Sequence, residues 1–112
     1  MNDRLLIIDK FKRTIIYIDK TLDNFPNRYM ELKWNICKYL DEILECMYMA
    51  NNDYNSIMNK NLCIIKLQMV DFYLMKSYKK CIISKKKYES ISKHLIEILK
   101  MIYGWKKVDE EG

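Results

Sequence analysis

Residues 84–105 read SKKKYESISKHLIEILKMIYGW, and the spacing inside this stretch decides the fold class. Tyr88, Ile91, Leu95, Ile98, Ile102 and Trp105 follow one another at steps of three and four, which places all six on one face of a helix. On the opposite face, one per heptad, stand Lys86, Lys93, Lys100 and Lys107. One side asks to be buried and the other to meet water or a negative partner.

The same rhythm recurs upstream. Ile8, Phe11, Ile15, Ile18, Leu22 and Phe25 predict a helix over 3–24, and Pro26, the only proline, pushes Phe25 out of it. Tyr29, Leu32, Ile36, Tyr39, Ile43 and Cys46 predict a second helix over 29–50, widened by Leu40, Leu44 and Met47. Asn51-Asn52-Asp53-Tyr54-Asn55 is a run of turn formers and helix caps. A third helix is predicted over 56–80, with Met58, Leu62, Ile65, Met69 and Phe72 as its buried seam. Its other side carries a second apolar stripe, Leu67, Val70, Leu74 and Tyr78, which reads as an oligomer interface or, alternatively, as the sign of a sunken helix. Cys81-Ile82-Ile83 closes the hairpin, Ser84 caps a fourth helix over 84–103, and residues 106–112 read as a flexible tail. A chain of 112 residues with two Gly and one Pro has room for one domain and few turns. The fold expected is all-α, an antiparallel up-down-up-down four-helix bundle, because short connections make neighbours antiparallel.

The net charge of +5 is unevenly spread: residues 1–55 carry eight Lys/Arg against nine Asp/Glu, and residues 56–112 twelve Lys against six Asp/Glu. The basic half concentrates at Lys76, Lys79, Lys80, Lys85, Lys86 and Lys87 around the last turn and continues along Lys93, Lys100 and Lys107. Such a surface attracts a polyanion by counterion release, nucleic acid or an anionic membrane, or else simply solvates a helix. Tyr78 and Tyr88, interleaved with these lysines, are candidate stacking surfaces. Lysine offers a point charge without bidentate geometry, so the surface suits backbone rather than base recognition.

No catalytic constellation is legible. Ser77-x-x-Lys80, Ser84-x-x-Lys87 and Ser90-x-x-Lys93 match a nucleophile motif by chance in a lysine-rich chain, without its companions. His94, the only histidine, has no nucleophile to serve. Cys37, Cys46, Cys63 and Cys81 lack C-x-x-C spacing and read as reduced core residues of a cytoplasmic protein. The expectation is a protein that is not an enzyme, holds no metal or cofactor, and has neither a membrane span nor a signal peptide.

Three stretches carry a family resemblance. They are Phe25-Pro26-x-x-Tyr29-x-x-Leu32-x-x-x-Ile36, then Ile43-Leu44-Glu45 to Ala50-Asn51, and Lys87-Tyr88-Glu89 with Glu97-Ile98-x-x-Met101-Ile102-Tyr103-Gly104-Trp105. Together they resemble the small four-helix-bundle proteins that include Avd, the accessory variability determinant of diversity-generating retroelements, and the intervening-sequence proteins of ribosomal RNA genes. The resemblance runs over nearly the whole chain. Tyr103 replaces the first glycine of the family's Gly-Gly-Trp ending, and the stretch after Pro26 is shorter than in many relatives. The Avd branch fits better, since the Ser-Asn-Ile-Ala-Glu-Gly type motif of the other branch is absent at Cys46 to Asn51. The resemblance implies a homopentameric, non-enzymatic accessory subunit that binds a reverse transcriptase and its template RNA during mutagenic reverse transcription. The alternative is an oligomeric protein adaptor using the third helix's spare stripe and the acidic face of Asp41, Glu42 and Glu45.

Overall fold

The amphipathic periods become four helices in the computed structural model, which describes the backbone of residues 3–111 and the side chains of residues 6–109. Helix α1 spans Asp3–Leu22, α2 Met30–Asn51, α3 Ser56–Lys79 and α4 Lys85–Glu111. No strand occurs among the described residues. Consecutive helices pack against one another, α2 with α3 most extensively, and α1 closes the ring on α4. The result measures 47 × 23 × 21 Å.

Local chemistry fixes each end. α1 stops at Leu22, two residues before the expected boundary at 24, because the N–H groups of Asn24 and Phe25 turn back to the carbonyls of Thr21 (3.2 Å) and Leu22 (3.0 Å). Pro26 then holds an extended backbone, and a single 3-10 turn, Asn27–Tyr29, leads into α2. α2 and α3 close in the same way. Tyr54 N–H reaches Met49 O (2.9 Å) and Asp53 N–H reaches Ala50 O (3.1 Å); Ile82 N–H reaches Ser77 O (2.9 Å) and Cys81 N–H reaches Tyr78 O (2.9 Å). Both are Schellman caps, which put Asp53 (φ 57) and Cys81 (φ 63) in the left-handed conformation usually given to glycine. Ser84 Oγ accepts the Lys87 N–H at 3.0 Å and so caps α4.

The core draws Phe11, Ile18 and Leu22 from α1, Ile36, Leu40, Ile43 and Met47 from α2, and Ile91, Ile98 and Ile102 from α4. Each such side chain contributes about 1.5–3 kcal/mol on leaving water. For α1, α2 and α4 these are residues of the expected seams. For α3 the expectation is reversed. Leu67, Val70 and Leu74 are buried and Tyr78 half-buried, so the stripe assigned to an oligomer interface belongs to the chain's own core. Met58 (52% exposed), Ile65 (55%) and Phe72 (46%), assigned to the seam, face outward.

The reason lies in three polar residues on α3's inner side. Lys60 is 0% exposed, its ammonium 2.7 Å from Asp109 Oδ2 and 4.5 Å from the centre of the Trp105 ring. Asn59 Nδ2 donates to Tyr54 O (2.8 Å), fastening the α2–α3 connection, and Ser77 Oγ donates to Tyr73 O (2.8 Å). All three are satisfied, so the inner face tolerates them.

The Lys60 pair also corrects the expected tail. α4 continues through 106–111, and Asp109 anchors that extension to α3. Gly112 and the side chains of Glu110 and Glu111 lie outside the described residues. Cys46 and Cys63 are buried as expected, and burial pushes the Cys63 thiol up to about 12. Cys81 is exposed at its turn and is not a core residue.

Candidate nucleic-acid interface

Seven residues of α-helix amount to two turns less about 20°, so lysines in heptad register form a nearly straight file. Lys86, Lys93, Lys100 and Lys107 are all exposed and extend over roughly 30 Å at the standard rise per residue. At the α3–α4 turn Lys76, Lys79, Lys80 and Lys85 are exposed and Lys87 is half-buried. The nine residues thus lie on the last turn of α3, the α3–α4 connection and α4.

Few of these charges are neutralised. Lys85 lies 3.9 Å from Glu89 in a well-exposed pair, which contributes little. Lys87 Nζ donates to Tyr17 Oη at 3.4 Å and stands 4.9 Å from the centre of that ring. Lys79 stands over Tyr78 at 5.3 Å. Lys76, Lys80, Lys86, Lys93, Lys100 and Lys107 form no ion pair among the described residues. Three carboxylates of this half, Asp71, Glu97 and Asp109, are engaged elsewhere. Glu97 binds Lys10 at 2.6 Å, which holds its carboxyl below the usual range, and Asp109 binds Lys60. Asp71 accepts hydrogen bonds from Tyr88 (3.2 Å) and Ser92 (3.1 Å).

The tyrosines serve the fold. Tyr78 and Tyr88 stack on each other, centroids 5.8 Å apart and planes at 3°, and the Tyr88 hydroxyl is committed to Asp71. Burial and the nearby Asp71 charge raise the Tyr88 phenol above its ordinary value. These rings clamp the start of α4 to the end of α3 and are not free platforms for bases. Tyr17 shares a 2.8 Å hydrogen bond with Ser90, and that contact, followed by Lys87, draws its phenol below the ordinary value.

Sequence reasoning placed the positive charge in the second half alone, and folding adds to it. Arg28 shares a surface pocket with Lys76, Lys80 and one carboxylate, Glu31, and Lys20 shares another with Lys87. Both come from the first half, where acidic residues hide them in the composition. At the other end of the bundle Asp53 and Asp109 line a further pocket, where Lys60 neutralises Asp109. Among the described residues no three His, Cys, Asp or Glu side chains gather as metal ligands, and no helix is long and apolar enough to cross a membrane. His94 packs edge-on to Tyr17, ring centroids 5.2 Å apart.

No family model matches this chain, and no curated protein or solved structure does either.

Proposed function

We propose that this chain is a non-enzymatic, cytoplasmic accessory protein that binds nucleic acid through the exposed face of α4 and the α3–α4 turn. The observation that carries the reading is the exposed file Lys86, Lys93, Lys100 and Lys107, which forms no ion pair among the described residues, while Glu97 and Asp109 are paired with Lys10 and Lys60. Mobile ammonium groups in a row about 30 Å long match a phosphate backbone rather than a single small anion. The Phe25-Pro26 and Gly104-Trp105 resemblance described above makes an Avd-like partner of a reverse transcriptase and its template RNA the specific form of this proposal.

The bundle topology within this reading is antiparallel, up-down-up-down. Contacts such as Lys10 with Glu97 and Tyr17 with Ser90, or Glu42 with Lys66 and Tyr39 with Tyr73, run in opposite directions along each helix pair. The proposed assembly is a homo-oligomer, a pentamer by resemblance. The α3 surface available to it is Met58, Ile65 and Phe72, in place of the buried Leu67, Val70 and Leu74. That same apolar surface favours the second reading, a protein adaptor without nucleic acid.

Tagged protein recovered from its host separates the two readings. Co-purification of a reverse transcriptase with RNA, lost on charge reversal at Lys86, Lys93 and Lys100, is the expected result. Capture of a protein that withstands nuclease and high salt, with no RNA present, would replace the nucleic-acid reading by the adaptor.

A further inference from the structure

We propose that the pocket between the end of α1 and the start of α4 binds a phosphate group. The pocket measures about 410 Å³, and Tyr17, Lys20, Thr21, Asn24, Ser84 and Lys87 supply its polar lining. It holds two ammonium groups, three hydroxyls and an amide, and no carboxylate lines it. Asp19, on the same helix, interacts with Asp23 at the end of α1 and with Asp41 and Lys33 of α2, and neither Asp19 nor Asp23 lines the pocket.

Two independent features point to an anion. The first is position: Ser84 caps α4, a helix of 27 residues, so the pocket lies against the positive end of the longest dipole in the molecule. The opposing carbonyl end of α1 is partly occupied, since the N–H groups of Asp23, Asn24 and Phe25 take the Asp19, Thr21 and Leu22 carbonyls.

The second feature is Thr21. It is 8% exposed, and its hydroxyl makes no hydrogen bond within the chain. The other buried helix hydroxyls bond back one turn, Thr14 to Lys10 O (3.0 Å) and Ser77 to Tyr73 O (2.8 Å). Thr21 forgoes that bond at the wall of a basic pocket, where its hydroxyl is open to solvent and can donate to a phosphate oxygen. Lys20, which forms no ion pair among the described residues, and Lys87 supply the compensating charge.

This site does not depend on the lysine file of α4, because Lys93 and Lys100 lie outside the pocket. The test is an amide NMR titration of the full chain with inorganic phosphate against chloride at equal ionic strength. Saturable shifts at Thr21, Asn24, Ser84 and Lys87, absent with chloride, are expected. Thr21→Val keeps volume and removes an unpaired hydroxyl, so it folds at least as stably while binding phosphate about threefold to tenfold more weakly. Lys87→Gln weakens it about tenfold. Short RNAs with a 5′-phosphate or a 5′-hydroxyl identify the source: tighter binding of the phosphorylated RNA assigns the site to a nucleic-acid terminus, and equal binding of both assigns it to free phosphate. Shifts that never saturate and spread over all lysines, or a Thr21→Val variant that binds phosphate like the original, overturn the proposal. Loss of RNA binding on mutation of Lys93 and Lys100, with the phosphate shifts intact, would bear on the α4 surface alone.

Discussion

Helices α3 and α4 lie side by side in one ring, yet they divide their residues between core and solvent in opposite ways. α4 buries Ile91, Leu95, Ile98, Ile102 and Trp105 and turns lysines outward. α3 buries Lys60, Asn59 and Ser77 among its apolar contacts and turns Met58, Ile65 and Phe72 outward. A helix of the first kind buries an apolar seam and keeps its polar contacts at the rim, Tyr88 and Ser92 with Asp71 and Glu97 with Lys10, so its outer face is free for charge. A helix of the second kind spends hydrogen bonds inside and leaves apolar area outside, which suits an element with neighbours on both sides.

The largest test of this contrast is a truncation on each face. Leu74→Ala and Ile98→Ala, both at 0% exposed sites, should each destabilise by about 3 kcal/mol in urea unfolding. Ile65→Ala should change the stability of the isolated chain by less than about 0.5 kcal/mol. Equal losses at Leu74 and Ile65 would mean that α3 packs in the other orientation. Next in size is the buried cation: Lys60→Met removes the bonds to Asp109 and Trp105 and should cost about 2 kcal/mol, with Asp109→Asn non-additive to it in a double-mutant cycle. Smaller still is the turn between the two helices. Cys81→Gly relieves a left-handed non-glycine residue and should raise stability by about 1 kcal/mol, whereas Cys81→Val should lower it. Gln substitutions at the exposed Lys86, Lys93 and Lys100 should leave thermal stability within about 0.5 kcal/mol.

The same contrast explains what could be read from the chain in advance. α4 was legible because its apolar seam is regular and lysines recur on the opposite face, although Ile96, Tyr103 and Val108 are also exposed, and the Ser84 cap was legible because a serine precedes the run. α1 and α2 were legible for the same reason. On α3 both faces are apolar, and three buried polar residues lie on the inner one, so periodicity alone chose the wrong side. Lys60 finds its partners 45 and 49 positions away, at Trp105 and Asp109, and nothing local announces them. That pairing also explains why an acidic, turn-poor ending read as a tail when it continues the helix. The basic surface was legible in its lysines but not in its extent, because Lys20 and Arg28 reach it only through the meeting of the α1–α2 corner with the α3–α4 turn.

The nucleic-acid reading stands or falls on the salt dependence of binding to a structured RNA, measured for the original chain and for Lys86→Gln, Lys93→Gln, Lys100→Gln combined. If the α4 face carries the contact, the logarithm of affinity falls linearly with the logarithm of salt, and the triple variant lowers that slope by about three lysines' worth. A slope near zero, or one unchanged by the three substitutions, would contradict it.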